Sequence, residues 1–312
     1  MRKFIFTVLL LFVFTGLSSA SVHDRAGTSG AAFLNIGVGA RPLGMAGAYT
    51  ALGDDINTLF WNPAGLSLTR DKEIGLMYSR WLETVDYGML AYKFPETGWG
   101  GHVGAGLIYL DMGTIESTLE DEQGLYGGRD GTFSGSDLAL ITGYSQKLTD
   151  EFTLGANVKF IQQTNVDDIG RTVAFDVGGL YSRPESNVTL AATIMNAGFP
   201  IKVREESFQL PLKITGGVGY REPEEFNIGL DISKNIDDFL TVSLGGEYKT
   251  GEILTLRGGY EYGNKISEMG FISGARIGFS VLWEGLKFDY SLAPHGDLGL
   301  THKAGLILYD LF

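Results

Sequence analysis

The sequence predicts an all-β protein: a transmembrane antiparallel barrel of about 14 strands whose lumen holds a partly helical N-terminal hatch. Three observations predict it. Apolar and polar side chains alternate with a period of two along runs of about 8 to 12 residues. Glycine is abundant, at 45 of 312 residues, and cysteine is absent. Tight connections between the runs alternate with longer ones, as in barrels with short turns on one rim and loops on the other.

Composition removes several function classes. Asp and Glu number 37 against 24 Lys and Arg, a net charge of −13. No nucleic-acid partner is expected, because binding phosphate needs a basic footprint. Without cysteine there are no disulfides, thiolate metal sites, cysteine nucleophiles or cysteine-linked lipid anchors. Apolar residues at 44% and aromatics at 12% are too many for a disordered chain.

The first element is a leader. Arg2 and Lys3 start it, residues 4–14 are apolar except Thr7, and Ser18 and Ala20 suit a cut after Ala20. The apolar run is too short for a membrane helix, which needs about 20 residues, and no later stretch approaches that length. Residues 1–20 are therefore expected to be a cleaved signal peptide, 21–70 a plug segment and 71–312 the barrel. The expected location is the outer membrane of a Gram-negative-type bacterium.

From residue 72 onward the chain reads as strands. Leu154, Ala156, Val158 and Phe160 alternate with Thr153, Gly155, Asn157 and Lys159; Ile228, Leu230 and Ile232 alternate with Asn227, Gly229 and Asp231. The runs begin at 72–80 and end at 299–312. An even count returns both ends of the barrel to one side. Every second connection is tight: 95–98, 148–150, 184–186, 222–224, 250–252 and 284–285. The longest of the others are expected at 111–132, with acids Glu116, Glu120, Asp121 and Glu122, and at 196–208.

Glycine pairs such as Gly178–Gly179, Gly216–Gly217, Gly245–Gly246 and Gly258–Gly259 fall inside strands. They either let the sheet coil or make room for something in the lumen. Aromatics recur near run ends, as interfacial girdles would place them. The chain closes on an aromatic, Phe312.

Residues 26–70 lack the strand pattern. Pro42 suits the opening and Gly53 the close of a short helix. Asp54 and Asp55 suit a cap for a second turn through Thr58 and Leu59. The lumen is the natural home of such a segment, since 14 strands enclose more space than their own side chains fill.

The residues of this stretch carry a resemblance. Gly37, Arg41, Gly44-Met45-Ala46-Gly47-Ala48, Asp54-Asp55 and Trp61-Asn62-Pro63-Ala64-Gly65-Leu66 resemble the N-terminal region of PorV/PorQ-type outer-membrane proteins of the FadL-like barrel superfamily. Asp289-Tyr290 and Gly296-Asp297-Leu298-Gly299-Leu300-Thr301-His302 resemble the same family near the C-terminus. The resemblance implies a hatch carrying Asn62, Pro63 and Ala64, with Arg41, Asp54 and Asp55 as polar contacts nearby. It also implies trimmed outer loops, since the chain is short for that family.

No catalytic motif occurs, so no enzyme and no cofactor are expected. His23, His102, His295 and His302 show no metal spacing. Asp167–Asp168 and Asp237–Asp238 read as solvated turn residues. One functional reading is a conduit for small hydrophobic molecules, with an apolar luminal pocket beside Asn62. A second, implied by the resemblance, is a type IX secretion component that binds secreted cargo and hands it to a surface-attachment complex. There Glu116, Glu120, Asp121 and Glu122 would meet the cargo. A third is a structural barrel in a larger complex. Membrane lipid and the barrel-assembly machinery are the remaining expected partners.

Overall fold

A computed structural model describes residues 27–68, 72–81, 84–94, 96, 98, 100–166, 168–222, 225–263 and 270–309. The leader expected over 1–20, Asp167 and the terminal Phe312 lie outside the described residues.

Fourteen strands close into one antiparallel barrel. In chain order they are β1 (Glu73–Trp81), β2 (Val85–Lys93), β3 (Gly101–Glu120), β4 (Tyr126–Lys147), β5 (Phe152–Asn165), β6 (Asp168–Ser182) and β7 (Val188–Gly198). Then come β10 (Lys213–Glu222), β11 (Phe226–Asn235), β12 (Leu240–Thr250), β13 (Leu254–Tyr262), β14 (Ala275–Trp283), β15 (Leu286–Pro294) and β16 (Leu300–Tyr309). Two further short strands, β8 (Ile201–Val203) and β9 (Glu206–Phe208), form a hairpin of their own between β7 and β10. β1 closes the ring on β16, from Glu73 opposite Tyr309 to Arg80 opposite His302. Closure leaves no open edge, which is what a sheet in lipid requires.

The alternation is turned inside out relative to a soluble sheet. Along β5, Leu154, Val158 and Phe160 are exposed, whereas Thr153, Asn157 and Lys159 are buried. Along β6, Phe175 and Val177 face out while Thr172 and Asp176 face in. Such an apolar outer face is solvated by hydrocarbon, and the chain reads as membrane-spanning. Aromatics gather at the rim with the short turns. Phe152 and Tyr181 lie 4.6 Å apart between ring centroids, Tyr92 and Phe94 4.5 Å, and Tyr220 and Phe226 5.9 Å. Tyr248 and Trp283 stand exposed near the same rim.

Two expected loops are not simple loops. Over 111–132, β3 and β4 stay paired to Glu120 opposite Tyr126, with register shifts on the way. Only residues 121–125 make the turn. The hairpin projects beyond its neighbours, because β2 pairs with β3 only as far as Asp111 and β5 with β4 only as far as Gly135. There both faces of the ribbon meet water, so no alternation marked it as strand. In 196–208 the chain folds into the β8–β9 hairpin, whose Ile201 is fully buried. Several strands also start later than expected: β10 at Lys213 rather than 209 and β14 at Ala275 rather than 269.

Residues 31–68 lie inside the barrel. Ala40–Gly44 is the α-helix, shorter than the span expected from Pro42 to Gly53, and turns carry the chain on to Leu52. Pro42 sits inside that helix rather than opening it, and Gly39 precedes it at φ 85°. Asp55 caps the 3₁₀ turn Ile56–Phe60, accepting the Asn57 amide at 3.0 Å. Asn62 caps Pro63–Ser67 by accepting the Ala64 amide at 3.1 Å.

The glycine pairs make room for this hatch. In each pair one residue faces the lumen. A Cβ on Gly245 would stand 2.1 Å from the Met45 carbonyl oxygen, and one on Gly178 would stand 2.1 Å from Asn62 Oδ1. Gly155 would meet the Pro63–Ala64 peptide at 2.4 Å, and Gly229 the Ala48 carbonyl oxygen at 2.5 Å. The other member faces outward: Gly216 has nothing within 4 Å. Hatch backbone thus packs directly against strand backbone, which any side chain would prevent.

Candidate functional site

Two structures fill the lumen: an ion-paired seat for the hatch near the short-turn rim, and a cavity towards the long-connection rim. Arg41 is the centre of the seat. Its Nε and Nη2 donate to Glu247 at 3.1 and 2.5 Å, a two-pronged pairing that fits a guanidinium to a carboxylate. Its Nη1 donates to Asp55 at 2.9 Å and also pairs with Asp54. Lys287 donates to Asp55 at 2.8 Å, and Arg221 pairs with Asp54 while donating to the Leu52 carbonyl at 2.8 Å. Arg257 bridges Glu247 at 2.9 Å and Asp289 at 3.1 Å. Four cations therefore meet four carboxylates, and the cluster is neutral, buried except at the Asp54–Arg221 pair, which is partly exposed.

Within the hatch, burial pushes the Asp54 and Asp55 carboxyls up, but their cationic neighbours win. Arg41 and Arg221 hold Asp54 below its ordinary value, and Lys287 and Arg41 hold Asp55 well below. Burial likewise opposes charge on Arg41, yet Asp54 and Glu247 raise it well above the ordinary guanidinium value. The Tyr49 phenol donates to Asp55 at 2.8 Å, and burial keeps it protonated.

A second anchor holds the other side of the hatch. Asn62 Nδ2 donates to the Thr50 carbonyl at 2.9 Å and to the Gly179 carbonyl at 3.4 Å. Asn157 reaches the Leu59 carbonyl at 2.8 Å and Asp176 at 2.8 Å. Asp176 pairs with Lys159 at 2.9 Å and accepts the Asn196 amide at 2.8 Å, at the point where β6 and β7 shift register. Arg41, Asp54 and Asp55 are thus brought together. Asn62, Pro63 and Ala64 form a separate contact against β5 and β6.

The cavity measures about 400 Å³. It lies beside the Asn62 region, as expected, with Phe60 and Trp61 in its lining, but it is not wholly apolar. Its walls differ in kind. On one side stand Leu34, Ile36, Val38, Trp61, Ile108 and Ile141; on the other the lining side chains of β10–β13 are polar throughout, with Arg276 and Lys303 following on β14 and β16. Lys303 lies over the Trp81 ring at 4.8 Å. His295, beyond the end of β15, is pushed down to about 4 by burial and by Arg276 and Lys303, so its ring is neutral near pH 7.

The acids expected to meet a partner lie on the projecting hairpin. Glu116 pairs with Arg129 at 2.7 Å, both exposed, and Asp121 caps the turn through the amides of Gln123 and Leu125 at 3.0 and 2.8 Å. Glu120 ends β3, and Glu122 is exposed in the turn. Asp168 opens β6 and pairs with Arg204 at 2.5 Å. No group of His, Asp or Glu among the described residues has the arrangement of a metal site.

Sequence reasoning missed Glu247, Arg257 and Lys287, and marked Asp289 only as part of the C-terminal resemblance. Their signal was present: each is a charged residue on the luminal phase of a strand, near one rim. Nothing local tied them to Arg41, which stands 206 residues from Glu247.

No protein-family model and no curated protein matches the sequence. Solved structures do match in fold. The Pseudomonas putida toluene transporter TodX superposes with a TM-score of 0.66 at 15% identity, covering 88% of this chain and 98% of that one. The Ralstonia pickettii toluene transporter TbuX gives 0.63 at 13%, covering 88% and 97%. A Pseudomonas aeruginosa FadL homologue gives 0.55 at 11%, covering 86% and 96%. At such identities the likeness is one of architecture, and it places this chain's barrel in the FadL-like fold.

Proposed function

We propose that this protein is an outer-membrane conduit, which admits small hydrophobic or amphipathic molecules to a hatch-floored lumen and passes them on when the hatch shifts. The observation that carries this reading is the cavity of about 400 Å³ roofing a plug that is held by side chains rather than by covalent closure. A pocket of that size suits a small molecule. The similar structures named as toluene transporters support the same reading.

The test is to lock the hatch. A Cβ on Gly305 would lie 3.5 Å from Ala40 Cβ, within disulfide range. The chain has no other cysteine. Ala40→Cys with Gly305→Cys, produced in cells whose outer leaflet resists hydrophobic solutes, should take up toluene when reduced and stop when oxidised. Equal uptake in both states would rule out passage past the hatch.

One observation favours the second reading, a cargo-binding component of type IX secretion. The β3–β4 hairpin projects with exposed Ile115, Leu119, Leu125 and Tyr126 beside Glu116, Glu120, Asp121 and Glu122. Trimming residues 113–133 should then release a co-purifying secreted protein while toluene uptake persists.

A further inference from the structure

The polar wall of the cavity differs from the ion-paired seat of the hatch, because its groups are unspent. It comprises Lys213 and Thr215 on β10, Ser233 on β11, Thr241 and Ser243 on β12 and Glu261 on β13. The strand register makes the patch continuous: Thr215 is opposite Ser233, Ser233 opposite Thr241, and Ser243 opposite Glu261. Among the described residues none of these six side chains makes a hydrogen bond or ion pair. Lys213 has the Trp61 ring 5.6 Å from its ammonium, and Glu261 and Asp231 act on it across space without a direct ion pair. Asp231, between Gly217 and Ser243 in the same row, gives Oδ2 to the amides of Tyr49 and Thr50 at 3.2 and 2.9 Å, and its Oδ1 is unpartnered.

Resting on the conduit reading, we infer that the cavity takes an amphiphile with a hydroxyl-rich, sugar-like head. The head lies on the β10–β13 wall and the tail against Leu34, Ile36, Val38 and Trp61. A bare hydrocarbon on this wall strips water from four hydroxyls and two charges and returns nothing to any of them. An ionic head meets no field of one sign, since Lys213 and Glu261 oppose each other. A hydroxyl both donates and accepts, so it answers an ammonium, a carboxylate and other hydroxyls alike. The opposite wall has no polar demand and suits an alkyl or aryl tail. The rival head is an anion drawn to Arg276 and Lys303 on the adjoining wall, where Glu261 acts on Arg276 across space but no direct ion pair forms among the described residues.

The test uses the full chain in lipid nanodiscs with Trp99→Phe and Trp283→Phe, so that tryptophan fluorescence reads Trp61 and Trp81. Octyl glucoside, octanoate, octyltrimethylammonium and toluene are each titrated below any micelle concentration. The comparison protein is the triple variant Thr215→Val, Ser233→Ala, Thr241→Val, which removes three hydroxyls and touches no hatch contact. Octyl glucoside is expected to bind most tightly and to weaken at least tenfold in the variant. A melting temperature and an unliganded emission spectrum equal to those of the protein without the triple change will show that the variant's lumen is intact, and toluene, which asks nothing of the hydroxyls, should bind the variant at least as tightly. Glucoside affinity equal in both proteins overturns the inference, as does octanoate binding more tightly than glucoside. If no probe perturbs the fluorescence of either protein, the conduit reading fails with it.

Discussion

The two halves of the lumen use the same kinds of side chain to opposite ends. Near the short-turn rim, Arg41, Arg221, Arg257 and Lys287 are each paired with carboxylates, and the hatch is held by those pairs. Across the cavity, Lys213, Glu261 and their neighbouring hydroxyls make no hydrogen bond or direct ion pair among the described residues. Buried charge is tolerated when its partners are present and becomes costly when one is taken away. Groups left unspent beside an open space are available to a visitor. The difference separates what holds the plug from what receives a ligand.

The largest effect should come from breaking the seat. Arg41→Ala leaves Glu247, Asp54 and Asp55 short of a cation inside the barrel, at about 3–5 kcal/mol for a broken buried pair. The hatch should loosen while the barrel persists. A cysteine at Thr58, which is only 1% exposed, reports this: it should resist a bulky thiol reagent in the otherwise unaltered protein and react quickly beside Arg41→Ala. The same reporter has a defined pH dependence. Asp54 and Asp55 have lowered values in the folded state, so their contribution is full above the ordinary carboxylate range, about pH 4. It is lost only as the pH falls further, through those lowered values. Labelling should stay flat from roughly pH 8 to 5 and rise only in stronger acid; a rise near neutrality would mean that other groups hold the hatch.

A middle-sized effect separates the two faces of the wall. Gly245→Ala drives a methyl into the Met45 carbonyl and should cost about 1–3 kcal/mol by urea titration, as overpacking does. The smallest belongs to Gly216→Ala, which points into open space and should stay within about 0.5 kcal/mol. Equal losses at both positions would mean that the inward glycines serve sheet coiling rather than hatch contact.

How much was legible can be argued from particular residues. The strands were, because a wall between lipid and lumen forces alternation, and Leu154 to Phe160 shows it plainly. The projecting hairpin was not, because water on both faces removes that constraint. In the hatch, Asp55 and Asn62 announced their turns through local capping chemistry. The span of the helix did not, because Gly44 ends it where the chain meets Gly278, a Cβ on either glycine lying 3.4 Å from the other's Cα.

Local pattern along the chain was enough to specify a membrane barrel, its strand number and a segment that could not belong to the wall. These follow from periodicity and turn chemistry, which act between neighbours in the chain. Only the tertiary structure decided which luminal charges meet and which stand alone. Arg41 and Glu247 are paired by the closing of the ring, and Lys213 and Glu261 are left facing the cavity by where the hatch comes to rest. Both outcomes depend on distances in space that residues far apart in the chain acquire only when the barrel closes.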